Sequence, residues 1–398
     1  MSYIPGFIGV MRRATFALAA LGLATGSAAF AAPPKLPQAA PEAVGMDAAK
    51  LAEIETAVND ALAAKQMPGC VVLIARQGKI AYLRAFGDRR LEPEREPMTV
   101  DTVFDLASLT KPLATASSVM LLIERGRIQL DDPASRHLPE FAGQGKDQIT
   151  VRHLLTHQSG LIADNPIGDF AEGPAKAVER LFALTPLAKP GERFIYSDVG
   201  FMVLGELVRR VSGQDVNAFS HQNLFEPLGL AETGFLPAEG LRDRAAPTQR
   251  REERWMQGEV HDPRAYALGG VAGHAGLFST AQDLAVYAEM LLGEGEYAGV
   301  RVLAPATVAA MRSPQTLPGG ALRGLGWDMK SGYSSNRGEG FSPQAIGHGG
   351  FTGTAFWIDP ERRLAVIFLS NRVHPDGKGN VNRLAGRIGT IAAQAIGP

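Results

Sequence analysis

Two pairs of apolar runs stand at opposite ends of the chain. "CVVLIAR" (70–76) and "IAYLRAF" (80–86) are separated by Gln77-Gly78, while "TAFWIDP" (354–360) and "LAVIFLS" (364–370) are separated by a charged turn from Glu361 to Arg363. Runs this short, bounded by turn residues, read as buried strands, and each pair reads as a hairpin. Leu51, Ile54, Val58 and Leu62 recur at helical spacing before the first hairpin and predict a helix ending at Pro68-Gly69; an apolar helix from about Val381 follows the second. Helix plus hairpin at one end and hairpin plus helix at the other predict one antiparallel sheet built from both ends of the chain. Strands without a polar face must be covered by helices on both sides. The fold class is therefore α/β in the α+β sense: an antiparallel sheet flanked by helices, plus a mostly helical lobe over about 112–292. Thr150, Ser197 or Asp198, and Thr280 are placed to open helices there, and Gly160, Gly213 and Gly293 to stop them.

The 398 residues are 45% hydrophobic and 20% charged, enough to bury a large core without disulfides or metals. Formal net charge is −1 and no Lys/Arg-rich run occurs, which removes the electrostatic footprint of a nucleic-acid binder and leaves small molecules or peptides as partners. Cys70 is the single cysteine, so no intramolecular disulfide can form, and its apolar run marks it as a buried small hydrophobe. Arg12-Arg13, a short apolar stretch and Ala29-Phe30-Ala31 read as an export signal over 1–31, with Met11 as its natural start and 1–10 as either an upstream extension or the product of a misplaced start codon. Thr25, Gly26 and Ser27 interrupt the stretch and argue against a membrane anchor. The chain is expected in the periplasm or outside the cell, by the general or the twin-arginine route. Residues 32–45, rich in Pro and Ala, read as an exposed leader, and the folded domain as 46–398.

Several catalytic signatures are missing: no Gly-x-Ser-x-Gly elbow, no Walker loop and no His-Glu-x-x-His. His153 and His157 stand four apart, but no acidic third ligand has an obvious place beside them, so packing or capping is the expected role. "DLASLTKPLAT" is different, because Ser108 is the one serine followed three residues later by a lysine, Lys111. A serine hydroxyl is a poor nucleophile until a base takes its proton, and this spacing puts amine and hydroxyl on one helical face. Apolar neighbours and a helix N-terminus are expected to push the Lys111 ammonium toward its neutral, basic form. In "ERFIYSDVG", Tyr196 can relay a proton while Ser197 or Asp198 caps a helix. In "AIGHGGFTGTAFWIDP", His348-Gly349-Gly350 enters a strand whose glycines allow a backbone to approach a ligand and offer an oxyanion donor.

Taken in order, Ser-x-x-Lys, Tyr-Ser-Asp and His-Gly-Gly, the sequence resembles the serine β-lactamase and penicillin-binding protein superfamily. It looks most like the class C β-lactamase-related branch, which includes esterases and D-alanyl-D-alanine carboxypeptidases. The likeness spans roughly 46–398 and includes "ITVRHLLTHQSGL" and "GGVAGHAGLFSTAQDLA". The resemblance implies a β-lactamase/transpeptidase-like fold, with the active site between sheet and helical lobe and no metal or organic cofactor. Ser108 would be the acylated nucleophile, and Lys111 and Tyr196 would share acid/base duty, the first base left open between them. His348, Gly349 and Gly350 match the family's Lys-Thr-Gly strand, and the backbone N–H groups of Ser108 and Phe351 would hold the oxyanion. Two departures count against an efficient β-lactamase: Asp198 replaces a common Asn, and His348 replaces the usual Lys, with Arg372 a substitute cation. The expected function is an exported serine hydrolase for small esters or D-Ala-D-Ala-type peptides. A class C-like β-lactamase and a non-hydrolytic penicillin-binding sensor are the alternatives.

Overall fold

The computed structural model describes residues 33–397, together with 1–3 and 6; the expected export signal lies outside the described residues. Nine strands form the central sheet. In chain order they are β1 (Gly69–Arg76), β2 (Lys79–Arg90), β3 (Glu96–Pro97), β4 (Gln315–Thr316), β5 (Leu322–Arg323), β6 (Asp328–Lys330), β7 (Ile346–Gly350), β8 (Thr354–Asp359) and β9 (Leu364–Ser370). Their spatial order is β4-β5-β6-β7-β8-β9-β1-β2-β3. Each neighbouring pair is antiparallel. The two hairpins meet where β1 pairs with β9, from Cys70 opposite Ser370 to Arg76 opposite Leu364.

That junction explains the unbroken apolar runs. Cys70, Val72 and Ile74 pack with helices Ala48–Ala63 and Asn382–Gln394 on one face. Val71, Leu73 and Ala75 turn to the other face and join the larger core, which includes helix Ala281–Leu292. With both faces covered, each large apolar side chain of β1 contributes roughly 1.5–3 kcal/mol by leaving water. Burial also pushes the Cys70 thiol far up, so it is inert.

The 33–45 stretch is largely exposed, as expected of the leader, but it is tied down at points along the sheet. Ile80 donates its N–H to Pro37 O at 2.9 Å, Ala39 donates to Ile80 O at 3.0 Å, and Leu36 and Val44 are buried. Edge pairing of this kind leaves no periodicity, so composition gave no sign of these anchors. The first helix stops at Ala63, short of Pro68, because Lys65 turns to φ 55°.

In the middle of the chain the expected caps are present. Thr150, Ser197 and Thr280 accept backbone N–H groups at the starts of Val151–Leu155, Asp198–Ser212 and Ala281–Leu292. Gly213 ends its helix in the left-handed region. Gly293 is the C-cap of its helix in a non-left-handed conformation, while helix Val151–Leu155 is capped by Thr156, before the expected stop at Gly160. Short strands Phe104–Asp105, Gly234–Phe235 and Leu277–Ser279 add a three-stranded sheet within this region.

Candidate active site

Ser108 sits in a short 3-10 turn, Ala107–Leu109, that follows strand Phe104–Asp105. Three residues per turn bring positions i and i+3 into line, and Lys111 Nζ donates to Ser108 Oγ at 3.0 Å. The residue before Ser108, Ala107, is held at φ 46°, uncommon for a side-chain-bearing residue. Its N–H is fixed by Asp105 Oδ1 at 2.8 Å, and the other oxygen of that buried carboxylate accepts the His261 N–H at 2.7 Å. A wide π-type turn, Lys111–Ala116, follows before helix Ser117–Glu124. The expected single α-helix is thus three stacked geometries, with Ser108 and Lys111 facing each other at its start.

Lys111 is fully buried, and its ammonium also donates to His274 O at 3.0 Å. Asp198 Oδ1 lies 2.6 Å from Nζ. Burial alone pulls the lysine down, but Asp198 and Tyr196 facing it outweigh that, and it ends above its ordinary value. This corrects the expectation of a resting neutral amine, which counted the apolar neighbours of "DLASLTKPLAT" and not a carboxylate arriving from another helix. Asp198 itself turns to Lys111 and is not among the residues that line the substrate cavity.

Tyr196 precedes helix Asp198–Ser212 and is clamped in a stack: His157 lies against one face at 4.4 Å between ring centroids and Tyr333 against the other at 4.7 Å. Its phenol faces Ser108 and Lys111. Burial raises its pKa, the Lys111 charge pulls it down, Asp198 pushes it up, and the result stays above the ordinary phenol value. His157 holds its place by accepting the Ser197 N–H on Nδ1 at 3.0 Å, and His153 caps the helix start with Thr150.

Across the cavity, β7 presents His348, Gly349 and Gly350. Thr352 Oγ1 donates to Asp105 O at 2.7 Å and Thr354 Oγ1 to Leu106 O at 3.1 Å, so the strand end and the serine turn are fastened together. A Cβ on Gly350 would collide with Thr354 and the Leu106 carbonyl, and one on Gly349 with Asn336, which is why this edge is glycine. His348 is buried, its Nδ1 pairing with Gly349 O at 2.7 Å. Burial first, then Arg323 and Lys111, hold it well below the usual histidine range, so it is neutral. Ser108, Tyr196, His348, Gly349, Gly350, Phe351 and Arg372 line one cavity of about 320 Å³, with Tyr333, Asn336 and Asn380 also on its wall. Phe351 is exposed and stacks on His261, and Arg372 lies 4.6 Å over the Phe351 ring while donating to Gly379 O at 2.7 Å. A larger cavity, about 800 Å³, opens among the middle helices and holds none of these groups.

Three residues of this neighbourhood, Arg323, Tyr333 and Asp262, lie outside the quoted motifs, and His274 lies inside "GGVAGHAGLFSTAQDLA" with nothing there to single it out. An arginine inside the apolar stretch "ALRGLGWDM" is the one clue available for Arg323. Asp198, Asp262 and His274 bring three ligand atoms within 4.8 Å of one another. The Lys111 ammonium, 2.6 Å from Asp198, already meets that cluster as a cation, while Asp262 Oδ1 pairs with His274 Nε2 at 2.9 Å.

A wide antiparallel sheet, helices on both faces and Ser108, Lys111 and Tyr196 gathered at the seam are the features of a β-lactamase/transpeptidase-like fold. The Beta-lactamase family profile matches residues 54–389, and the chain belongs to that family. A Salmonella agona protein assigned, by name only, as a D-alanyl-D-alanine carboxypeptidase is 32% identical over 382 residues, 86% of this chain and 87% of its own length. Among solved structures, EstCE1, described as a hydrolase with promiscuous acyltransferase activity, superposes with a TM-score of 0.69 at 27% identity, covering 87% of this chain and 99% of that one. A penicillin-binding protein homologue from Caulobacter crescentus superposes with a TM-score of 0.69 at 23% identity, over 88% of this chain and 99% of that one, a likeness of fold.

Proposed function

We propose that this family member is an exported serine hydrolase that forms an acyl-enzyme on Ser108 and cleaves small esters or D-Ala-D-Ala-type peptides. The observation that carries it is the 3.0 Å contact from the buried Lys111 to Ser108 Oγ at the wall of a cavity shared with Tyr196 and the glycine strand edge. Because Asp198 favours the ammonium, loss of one proton from the Lys111-Tyr196 pair leaves the negative charge on the phenol oxygen, making Tyr196 the first base. Ser108 Oγ attacks the substrate carbonyl carbon, its proton passes to Tyr196, and the oxyanion lies between the N–H groups of Ser108 and Phe351. Collapse expels the leaving group, which takes the proton from Tyr196. Water repeats the sequence to release the acid and restore Ser108. A neutral His348 suits an uncharged acyl group; Arg372 on the cavity wall offers the one feature favouring a carboxylate-bearing peptide or β-lactam.

Intact-mass time courses with p-nitrophenyl acetate, a D-Ala-D-Ala peptide and a penicillin test the reading. Turnover of ester or peptide, abolished to background in Ser108→Ala, is the expected result. Unchanged hydrolysis in Ser108→Ala refutes it, and a stable penicillin adduct without turnover of any substrate replaces it with a sensor. Export rests on the Arg12-Arg13 and Ala29-Phe30-Ala31 pattern, and N-terminal sequencing of the mature protein checks it.

A further inference from the structure

Arg323 closes β5 beside the active site and is completely buried, yet none of its three guanidinium nitrogens finds a hydrogen-bond partner in the protein. Its cross-strand neighbour Asp328 comes no closer than 3.5 Å, and that carboxylate is already engaged by the Ser334 hydroxyl at 2.7 Å. The guanidinium hangs 5.7 Å over the Phe194 ring, which packs edge-on against both His157 and Tyr333, the two rings that sandwich Tyr196. A buried ion so loosely paired is costly, and an apolar residue of similar length would pack there without that penalty. The charge therefore calls for a use.

We propose that Arg323 is a positioning residue of the active site, a second cation that acts through Tyr196 on the proton transfer from Ser108. The proposal rests on the acyl-enzyme reading above. The groups facing Tyr196 are Ser108 and Lys111 from the serine turn, Asp198 from the helix start, His157, Tyr333, and His348 from β7. The Lys111 charge is matched by Asp198, and His157 and His348 are held neutral by burial and by the nearby cations. Among the described residues that act on the phenol, Arg323 is the remaining positive charge, and its carboxylate neighbour Asp328 stands 3.5 Å away and is shared with the Ser334 hydroxyl. As the Ser108 proton moves to the Tyr196 oxygen and the bond from Oγ to carbon forms, Arg323 stabilises the phenolate that receives it. When the leaving group takes the proton, the same charge again favours the phenolate.

The test uses the purified full chain. The rate kcat/KM for p-nitrophenyl acetate is followed against pH, and the Tyr196 phenol is titrated by ultraviolet difference, with Tyr196→Phe subtracted. Arg323→Met is expected to move the rising limb and the phenol titration about one pH unit to the alkaline side, a loss of about tenfold at neutral pH. Arg323→Lys should restore most of it. Asp328→Asn, which frees the guanidinium from its partial counter-charge, should move both in the opposite direction. Unchanged positions in Arg323→Met, or shifts of the same sign in Arg323→Met and Asp328→Asn, overturn the proposal. If Arg323→Met does not fold, Arg323→Gln with Asp328→Asn carries the same comparison. Should the wild type show no Ser108-dependent turnover, the acyl-enzyme reading fails while the titration still decides the role of Arg323.

Discussion

At Lys111 burial and charge pull in opposite directions, and the carboxylate wins. Asp198 raises both Lys111 and Tyr196, so it delays loss of the proton on which serine activation depends in the proposed mechanism. The sign follows directly: replacing the carboxylate with an amide lets the pair release its proton at lower pH. Asp198→Asn should shift the rising limb of kcat/KM about one pH unit to the acid side, read from a pH-rate profile on p-nitrophenyl acetate. Ser108, Lys111 and Tyr196 were legible because each lies inside a local motif whose spacing fixes its geometry. The protonation of Lys111 was not legible, since the deciding group approaches from the start of a different helix. Arg323 was hidden for the same reason: a charged residue in a strand becomes informative only once the neighbouring strands show that it is fully buried.

The serine turn and the end of β7 behave as one element. Two threonine hydroxyls, Thr352 and Thr354, bond the carbonyls of Asp105 and Leu106, and Gly350 allows the approach that makes those bonds possible. Gly350→Ala would press a methyl group against the Leu106 carbonyl and push the turn away from the strand. The expected result is a loss of about a hundredfold or more in kcat/KM with a near-native circular dichroism spectrum, because small displacements of an oxyanion donor weigh heavily on the transition state. The glycines were visible in the sequence; the two hydroxyl clasps were not. Helix starts were read well from Thr150, Ser197 and Thr280, whose side chains accept the backbone N–H three residues on. Helix ends were read less well, for instance after Leu155, where His157 turns to φ 59°.

On the scale of the whole molecule, the sheet divides the interior into two large cores, with β1, β8 and β9 contributing alternate side chains to each. Phe356 on β8 sits fully buried in the core that also carries the serine turn, beside Trp327 and Tyr287. Phe356→Ala should cost about 3–5 kcal/mol of stability, measured as a fall in the urea midpoint. The architecture was legible because strands covered on both faces have no polar alternation to confuse them. The anchoring of the segment around Leu36 was missed because it is held by backbone pairing to Ile80 and not by a periodic face. The pairing of β1 with β9 sets a condition on synthesis as well. Until β9 leaves the ribosome, β1 has no partner on one edge, so the central sheet cannot close before synthesis of the chain is almost complete.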